Sequence, residues 1–271
     1  MKLDATRPIV LVDWSYFVFW RFFATHSWFS RAMAEATSTA DLHENAAFVD
    51  AFKKHSLDAL RGFRTKYGAP AGNVVALLDA PRATLWRTAV LPTYKANRDA
   101  KRPPPGAGMN VAFFGISEAM LAEAGVPAVR VAALEADDLA ALFCRRLADA
   151  PASDVVLLSD DNDWGQLGRP GPARAQVRVF NVAGRDVAER SGSLEAKVFC
   201  GDPGDNIPPV CARCGRKTAE KLAADADAAA AYLAKHPDAE AGLARNRLLI
   251  DLANIPDAER ARFDLAVSIV F

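Results

Sequence analysis

Five short apolar runs punctuate the N-terminal part of the chain and read as strands. They are residues 8–13 (PIVLVD), 73–79 (NVVALLD), 127–132 (PAVRVA), 154–159 (DVVLLS) and 176–181 (QVRVFN). The first, second and fourth are almost continuously apolar, the pattern of strands buried on both faces. Apolar residues recur near helical spacing between them: Phe48, Phe52, Leu60 and Phe63; then Phe113, Ile116, Met120 and Leu121; then Leu139, Leu142, Phe143 and Leu147. Strands alternating with helices predict an α/β fold, a parallel sheet covered by helices. The pattern changes after about Ser191, and residues 194–270 read as helices joined by turns. The polar stretch from His26 to Asn45 reads as an irregular loop. Pro103, Pro104 and Pro105, followed by Gly106, mark a linker-like segment, because three prolines stop a helix.

Charge narrows the partners. The 33 basic and 33 acidic residues among 271 cancel, which excludes a polybasic coat. Attraction for an anionic partner must then come from local patches. Four cysteines in this length do not make a disulfide framework. No apolar run approaches the roughly 18–20 residues of a membrane span. Asp4 and Arg7 interrupt the place of a secretory apolar region. The expectation is a soluble, monomeric protein of a reducing compartment, with no membrane partner.

Acids stand at the carboxyl ends of the strands, where open α/β sheets bind ligands. Asp13 closes the first strand and Asp79 the second. Glu135-Ala136-Asp137-Asp138 follows the third, and Asp160-Asp161-Asn162-Asp163 the fourth. Asp202 and Asp205 come later, in Gly-Asp-Pro-Gly-Asp-Asn. Any one alone is most often a turn or helix-cap residue. Together they gather carboxylates around one crevice, and such a cluster is costly without a cation. The donors are all oxygen, which selects hard ions, Mg²⁺ or Mn²⁺. Two such ions about 3.5–4 Å apart are the usual machinery of phosphodiester hydrolysis.

A basic segment, Tyr94-Lys95-Ala96-Asn97-Arg98-Asp99-Ala100-Lys101-Arg102, follows the second strand, with Arg82 and Arg87 upstream. On a helix, Lys95, Arg98 and Arg102 would share one face. Beside an acidic metal site, such an arm would draw in a phosphate backbone. Arg21, one helical segment beyond Asp13, is a second candidate. Gly215-Arg216-Lys217-Thr218 resembles the tail of a P-loop, but Val210 stands where the earlier glycine is needed. It reads better as a helix N-terminus whose amides can hold a phosphate.

These segments, in this order, resemble the 5′-nuclease superfamily: flap endonucleases, phage 5′–3′ exonucleases and the 5′-nuclease domain of bacterial DNA polymerase I. The matching stretches are Leu11–Asp13 with Arg21, Leu78-Asp79-Ala80 with Tyr94–Arg98, Glu135–Asp138, and Asp161–Asp163 with Gln166-Leu167. Gly201-Asp202 with Asp205-Asn206-Ile207, and Lys217-Thr218-Ala219, complete the set, and Asn246-Arg247-Leu248-Leu249 resembles the segment that follows. The resemblance implies a PIN-like core over residues 1–190, with an arch or clamp segment at about 94–112. It implies a helix–three-turn–helix module over 191–271 that grips duplex DNA and often holds K⁺ through backbone carbonyls. It further implies a first Mg²⁺ on Asp13, Asp79, Glu135 and Asp137 or Asp138, and a second on Asp161, Asp163, Asp202 and Asp205. Lys95 and Arg98 would polarise the scissile phosphate. Tyr94, Lys101, Arg102, Arg213, Gly215, Arg216, Lys217 and Thr218 would join Arg21 as DNA contacts.

The activity implied is structure-selective 5′–3′ exonuclease or flap endonuclease hydrolysis near 5′ ends of DNA or RNA–DNA hybrid, for primer removal or repair in a bacterial or phage-infected cytoplasm. The chain departs from the family at several points. The turn that reads roughly GVPGIGPKTA elsewhere is one residue longer here, lacks the earlier glycines and carries Cys211 and Cys214. Trp14 follows Asp13 where glycine is common, Asp160 is an extra acid, and Gly165 replaces an apolar residue. The Cys211–Cys214 spacing is a weak zinc signal without a second pair. A PIN-type ribonuclease and a non-catalytic junction binder are the alternatives. A dehalogenase-like phosphatase is excluded, because it needs an acid where Ser15 stands.

Overall fold

The computed structural model describes residues 3–4, 6–32, 39, 41–100, 108–148, 154–168, 176–187 and 192–267. All five apolar runs form strands: β1 (Ile9–Asp13), β2 (Val74–Leu77), β3 (Ala128–Val129), β4 (Val155–Leu158) and β5 (Val177–Phe180). They make one parallel sheet in the order β3-β2-β1-β4-β5. Successive side chains of a strand point to opposite faces, and both faces are buried here. Ile9, Leu11, Val75, Leu77, Val155 and Leu157 enter one core. Val10, Val12, Val74, Ala76, Val156 and Leu158 enter the other. Continuous apolar runs were needed for that double burial.

The second core is covered by α1 (Trp14–Ala32), α2 (Ala46–Tyr67) and α5 (Ala112–Glu123). Its centre is aromatic: Phe22 and Phe113 lie 4.8 Å apart between ring centroids, and Phe52 and Phe113 5.1 Å apart. Trp14 joins it, stacked on Phe17 and donating its indole N–H to Ser117 Oγ at 3.0 Å. The irregular loop expected from His26 starts later than that. Helix α1 continues to Ala32, because Phe29 still packs on Phe48 and Trp28 on His55.

The first core is covered by α3 (Trp86–Val90), α6 (Ala136–Ala148), α10 (Asp238–Ile250) and α11 (Asp257–Ala266). A short α4 (Asn97–Ala100) lies between α3 and α5. Helices α7 (Leu194–Cys200), α8 (Arg216–Ala224) and α9 (Ala226–Lys235) complete the C-terminal part. Phe199, Val210, Cys214, Ala219, Leu222 and Ala239 give that part a small core of its own. It is also sewn to the sheet domain: Val198 and Leu249 belong to the first core, and buried Asn246 donates to the Val198 and Pro208 carbonyls at 3.0 and 2.9 Å. Among the described residues no helix is long and apolar enough to cross a membrane.

Helix α10 is seated on the turn before α8 through Gly242. A Cβ there would lie 2.3 Å from the Val210 carbonyl oxygen, a backbone atom with little freedom to yield. Gly62, exposed in α2, has nothing within 4 Å of its would-be Cβ. We expect Gly242→Ala to destabilise by about 1–3 kcal/mol or more through overpacking. Gly62→Ala should stabilise by about 0.5–1 kcal/mol through the unfolded chain's lost freedom. Thermal melts read both, and a Gly242→Ala protein that melts with the wild type would show that α10 is not seated on Val210.

Candidate active site

Parallel pairing puts the strand carboxyl ends on one edge of the sheet, and the acids collect there. Asp13 ends β1 and is 8% exposed. Its Oδ2 accepts from Ser159 Oγ at 2.7 Å and its Oδ1 from the Tyr16 N–H at 3.1 Å, so it also caps α1. Asp79 follows β2 and accepts from Ser15 Oγ at 2.6 Å and from the Ala136 N–H at 2.8 Å, tying β2 to the start of α6. Asp161 follows β4 and caps the 3₁₀ turn Asn162–Leu167 through the Asp163 N–H at 2.9 Å. Asp137, in the first turn of α6, accepts from Trp164 Nε1 at 2.6 Å. The capping role and the clustered-carboxylate role coincide in the same side chains.

These acids repel one another in a poorly hydrated place. Burial, with the nearby Asp79 and Asp161 carboxylates, pushes Asp13 up to about 7 despite its hydrogen bonds. Burial and Asp161 likewise push Asp137 well above the usual carboxylate range, against the pull of Lys95. Burial raises Asp163 as well, opposed by Lys197.

The remaining acids are paired with cations. Glu135, 4% exposed, accepts from Lys95 Nζ at 2.6 Å through Oε1, and through Oε2 from Arg87 at 3.0 Å and from the Tyr94 hydroxyl at 2.8 Å. Burial works against its charge, but Lys95 and Arg87 prevail and hold it below the usual range. Lys197 on α7 bridges Asp163 and Asp202, reaching Asp202 Oδ2 at 2.8 Å. Asp205 takes Arg98 at 2.6 Å and lies 3.6 Å from Lys95 Nζ. Asp138 faces away from this group. It is fully enclosed, paired with Arg87 at 2.8 Å, and accepts from Trp86 Nε1 at 3.1 Å and the Glu135 N–H at 3.0 Å.

The Gly-Asp-Pro-Gly-Asp-Asn loop and the basic segment are one unit. Gly201, at φ +72, lets Asp202 and Ile207 pair backbone to backbone; a Cβ on it would lie 2.4 Å from the Ile207 carbonyl oxygen. The Lys95 N–H donates to the Asp205 carbonyl at 2.8 Å, Asn206 Nδ2 to Thr93 at 2.7 Å, and Asn97 Nδ2 to Pro203 at 2.7 Å. These bonds overturn the expected helical stripe of Lys95, Arg98 and Arg102. Residues 92–96 are turns, Lys95 sits at φ +57, and α4 begins only at Asn97. Lys101, Arg102 and the prolines after them lie outside the described residues.

The other expected contacts are dispersed. Tyr94 is 4% exposed, with its hydroxyl between Glu135 and, at 3.2 Å, Asp205. Arg98 is exposed. Arg21 lies over the Trp20 ring and near His55. Asp160, the extra acid, accepts from Asn181 Nδ2 at 3.2 Å. Gly215 caps α8, so Arg216, Lys217 and Thr218 open that helix as expected. An open cavity of about 730 Å³ runs from Asp163, Lys197 and Asp202 to Arg213, Gly215 and Arg216. Arg87, counted upstream with the basic arm, is instead 3% exposed and bonded to Glu135, Asp138 and the Leu249 carbonyl. Lys197, Trp86, Trp164 and Ser159 were not singled out from the sequence, and Ser15 only as the residue that excludes a phosphatase. No local spacing marks them, since their partners are mostly distant in the chain.

A hard divalent cation fits this donor set. Asp13, Asp79, Asp137 and Asp161 are oxygen donors that share one edge, and Asp13 and Asp137 are held above their ordinary pKa by burial and by neighbouring carboxylates. No three His, Cys, Asp or Glu side chains among the described residues converge as a ready-made cage.

The parallel sheet, with acids at the ends of its strands and a helical C-terminal part, defines a protein of the 5′-nuclease superfamily. Residues 8–196 match the family described as 5′-3′ exonuclease, N-terminal resolvase-like domain, and the chain belongs to that family. It is 30% identical over 173 residues to a 5′-3′ exonuclease of Streptomyces coelicolor, covering 56% of this chain and 55% of the relative. It is 34% identical over 116 residues to the flap endonuclease Xni of Cronobacter sakazakii, covering 43% of this chain and 42% of that one. The chain thus spans about half the length of these two relatives. Its fold is that of a T5 protein co-crystallized with metal ions, at TM-score 0.65 and 21% identity over 96% of each chain. A bacteriophage T5 flap endonuclease in a pseudo-enzyme–product complex with DNA and metal ions gives TM-score 0.64 and 21% identity over 95% of this chain and 96% of that one.

The raised Asp13 carboxyl has a sign in stability. The folded state holds this proton up to about 7, whereas the unfolded chain releases it near ~3.9. Folding therefore loses stability as pH rises through that window, and the loss is complete above it. With chelator present, Asp13→Asn should melt above the wild type at pH 8 by at least about 2–4 °C. The gap should close toward pH 4. A difference between the two proteins that ignores pH would remove Asp13 as the strained carboxylate.

Proposed function

We propose that this chain is a structure-selective 5′ nuclease, a 5′–3′ exonuclease and flap endonuclease acting near 5′ ends of DNA or RNA–DNA hybrid. The observation that carries the reading is the group of Asp13, Asp79, Asp137 and Asp161 on the carboxyl edge of the sheet, in which burial and neighbouring carboxylates raise Asp13 and Asp137. Two Mg²⁺ ions, with Mn²⁺ able to substitute, would activate a water for attack on the phosphodiester and neutralise the leaving oxygen. Asp13, Asp79, Glu135 and Asp137 would hold one ion. Asp161, Asp163, Asp202 and Asp205 would hold the other. The pairing of Asp138 with Arg87 and Trp86 favours leaving it out of both sets.

The chain's own cations supply the rest. Arg98 is exposed beside Asp205 and is available to a phosphate at the crevice mouth. Lys95 keeps its charge in the buried site, since its attraction to Glu135 and Asp205 outweighs burial, and it adds positive potential where charge develops. The amides and side chains at the start of α8, with Arg213, Arg216, Lys217 and Thr218, would grip duplex DNA by its backbone. A cavity joins this turn to Asp163 and Asp202. A K⁺ ion on the carbonyls of the turn would serve the same grip. Shape rather than base sequence would select the substrate, and the biological role would be primer removal or repair in a bacterial or phage-infected cytoplasm.

The test is cleavage of a 5′-labelled flapped duplex with Mg²⁺ and with chelator, by the wild type and Asp161→Ala. Metal-dependent release of a short 5′ product is expected, reduced at least about a thousandfold in the variant, the scale of several kcal/mol of lost transition-state stabilisation. DNA binding should survive and weaken steeply with salt. An Asp161→Ala protein with normal turnover would sink the assignment, as would wild-type binding without cleavage in Mg²⁺.

A further inference from the structure

Residues 211–214, between α7 and α8, form a β-turn in which the Cys214 N–H donates to the Cys211 carbonyl at 3.2 Å. Its third residue, Arg213, lies at φ +70, the left-handed region that a type II turn requires there and that glycine usually fills. The Gly215 N–H donates back to the Arg213 carbonyl at 3.0 Å, and α8 starts at the next residue. A β-turn holds its end Cα atoms within about 7 Å, which overlaps the roughly 4.4–6.8 Å that a disulfide spans.

The two thiols share a partner on another helix. The Tyr232 hydroxyl of α9 is 2.9 Å from Cys211 Sγ and lies near the Cys214 thiol as well. Both cysteines are reduced; Cys214 is buried and Cys211 half-buried. The nearby Cys200 does not extend the pair into a cage, since no three potential ligands among the described residues converge on a metal position. The arrangement is a dithiol set across a turn and tied by one phenol to α9.

We propose that Cys211 and Cys214 form a reversible thiol–disulfide site that controls how the turn before α8 grips DNA. The second half of this statement rests on the DNA-binding role proposed for that turn. The more accessible Cys211, as thiolate, attacks one sulfur of a low-molecular-weight disulfide such as oxidised glutathione. One glutathione thiolate leaves, and a mixed disulfide remains. The Cys214 thiolate then attacks the Cys211 sulfur, and the second glutathione thiolate leaves. Two protein thiols lose two electrons and two protons, and the reagent is reduced to two thiols. Closing the Sγ–Sγ bond draws Cys211 away from the Tyr232 hydroxyl and frees the turn from α9. Arg213, whose backbone is held left-handed by that turn, moves with it, as does the start of α8.

The test uses the full chain in glutathione buffers from reducing to oxidising. Peptide mapping by mass spectrometry and thiol counting follow the cysteines, while affinity for a 5′-flapped duplex is measured in parallel. A Cys211–Cys214 cross-link is expected, with DNA affinity lower by at least about fivefold, the low end of ordinary coupling between two sites. Dithiothreitol should restore both. Cys200→Ser should behave as the wild type, whereas Cys211→Ser should neither cross-link nor lose affinity on oxidation. Retention of both thiols in the oxidising buffers, or a cross-link through Cys200 instead, would overturn the site. A cross-link that leaves affinity unchanged would overturn its control of DNA binding. A reduced protein that binds no DNA while still cross-linking would overturn the DNA-gripping role of the turn, leaving the disulfide itself established.

Discussion

The structure is organised around one electrostatic constraint: too many carboxylates on one edge of a parallel sheet. Asp13, Asp79 and Asp161 are anchored by hydrogen bonds to backbone or hydroxyl groups, and Asp137 by the Trp164 indole. Without a bound ion the protein manages this in two ways. Some acids give up charge, as the raised carboxyls of Asp13 and Asp137 report. Others recruit internal cations: Lys95 and Arg87 at Glu135, Lys197 between Asp163 and Asp202, and Arg98 at Asp205. The buried pairs among them, Lys95 and Arg87 with Glu135, contribute little net stability, because desolvation offsets their attraction.

That constraint explains the architecture around the site. The basic segment after β2 and the Gly-Asp-Pro-Gly-Asp-Asn loop are more than a hundred residues apart, yet they are stitched together by the Lys95 N–H on the Asp205 carbonyl and by the Asn97 and Asn206 side-chain amides on backbone carbonyls. The stitching delivers Lys95 to Glu135 and Asp205 together. Arg87 does the same from below, joining α3, the start of α6 and the end of α10 through Glu135, Asp138 and the Leu249 carbonyl. The helical C-terminal part is therefore coupled to the acids through polar contacts as well as through its apolar packing. The dithiol turn lies at the far end of the cavity that leaves Asp163 and Asp202.

Much of this was legible in the residues. Uninterrupted apolar runs can be satisfied only by double burial, so β1, β2 and β4 were readable as central strands, and acids just past them had to share an edge. The start of α8 was readable from Gly215 and the polar residues after it. The stripe of Lys95, Arg98 and Arg102 misled, because helical spacing carries no information about the Asp205 carbonyl that pulls Lys95 out of a helix. The loop reading from His26 misled for a similar reason: Trp28 and Phe29 close an aromatic stretch that packs on α2 and carries α1 past that point.

By itself the sequence determined the sheet, its helical cover and the family, because hydrophobic periodicity and motif order are local properties. It also determined which acids could meet, since they follow the strands. Only the tertiary structure decided how they are used. Asp137 and Asp138 are adjacent in the chain, but a helix turns each residue by about 100°, so one faces the acids and the other faces Arg87 and Trp86. Lys95 and Glu135 are 40 residues apart, Tyr94 and Asp205 111. No spacing rule reaches that far, because contacts of this range exist only once the two ends of the sheet edge have been folded together.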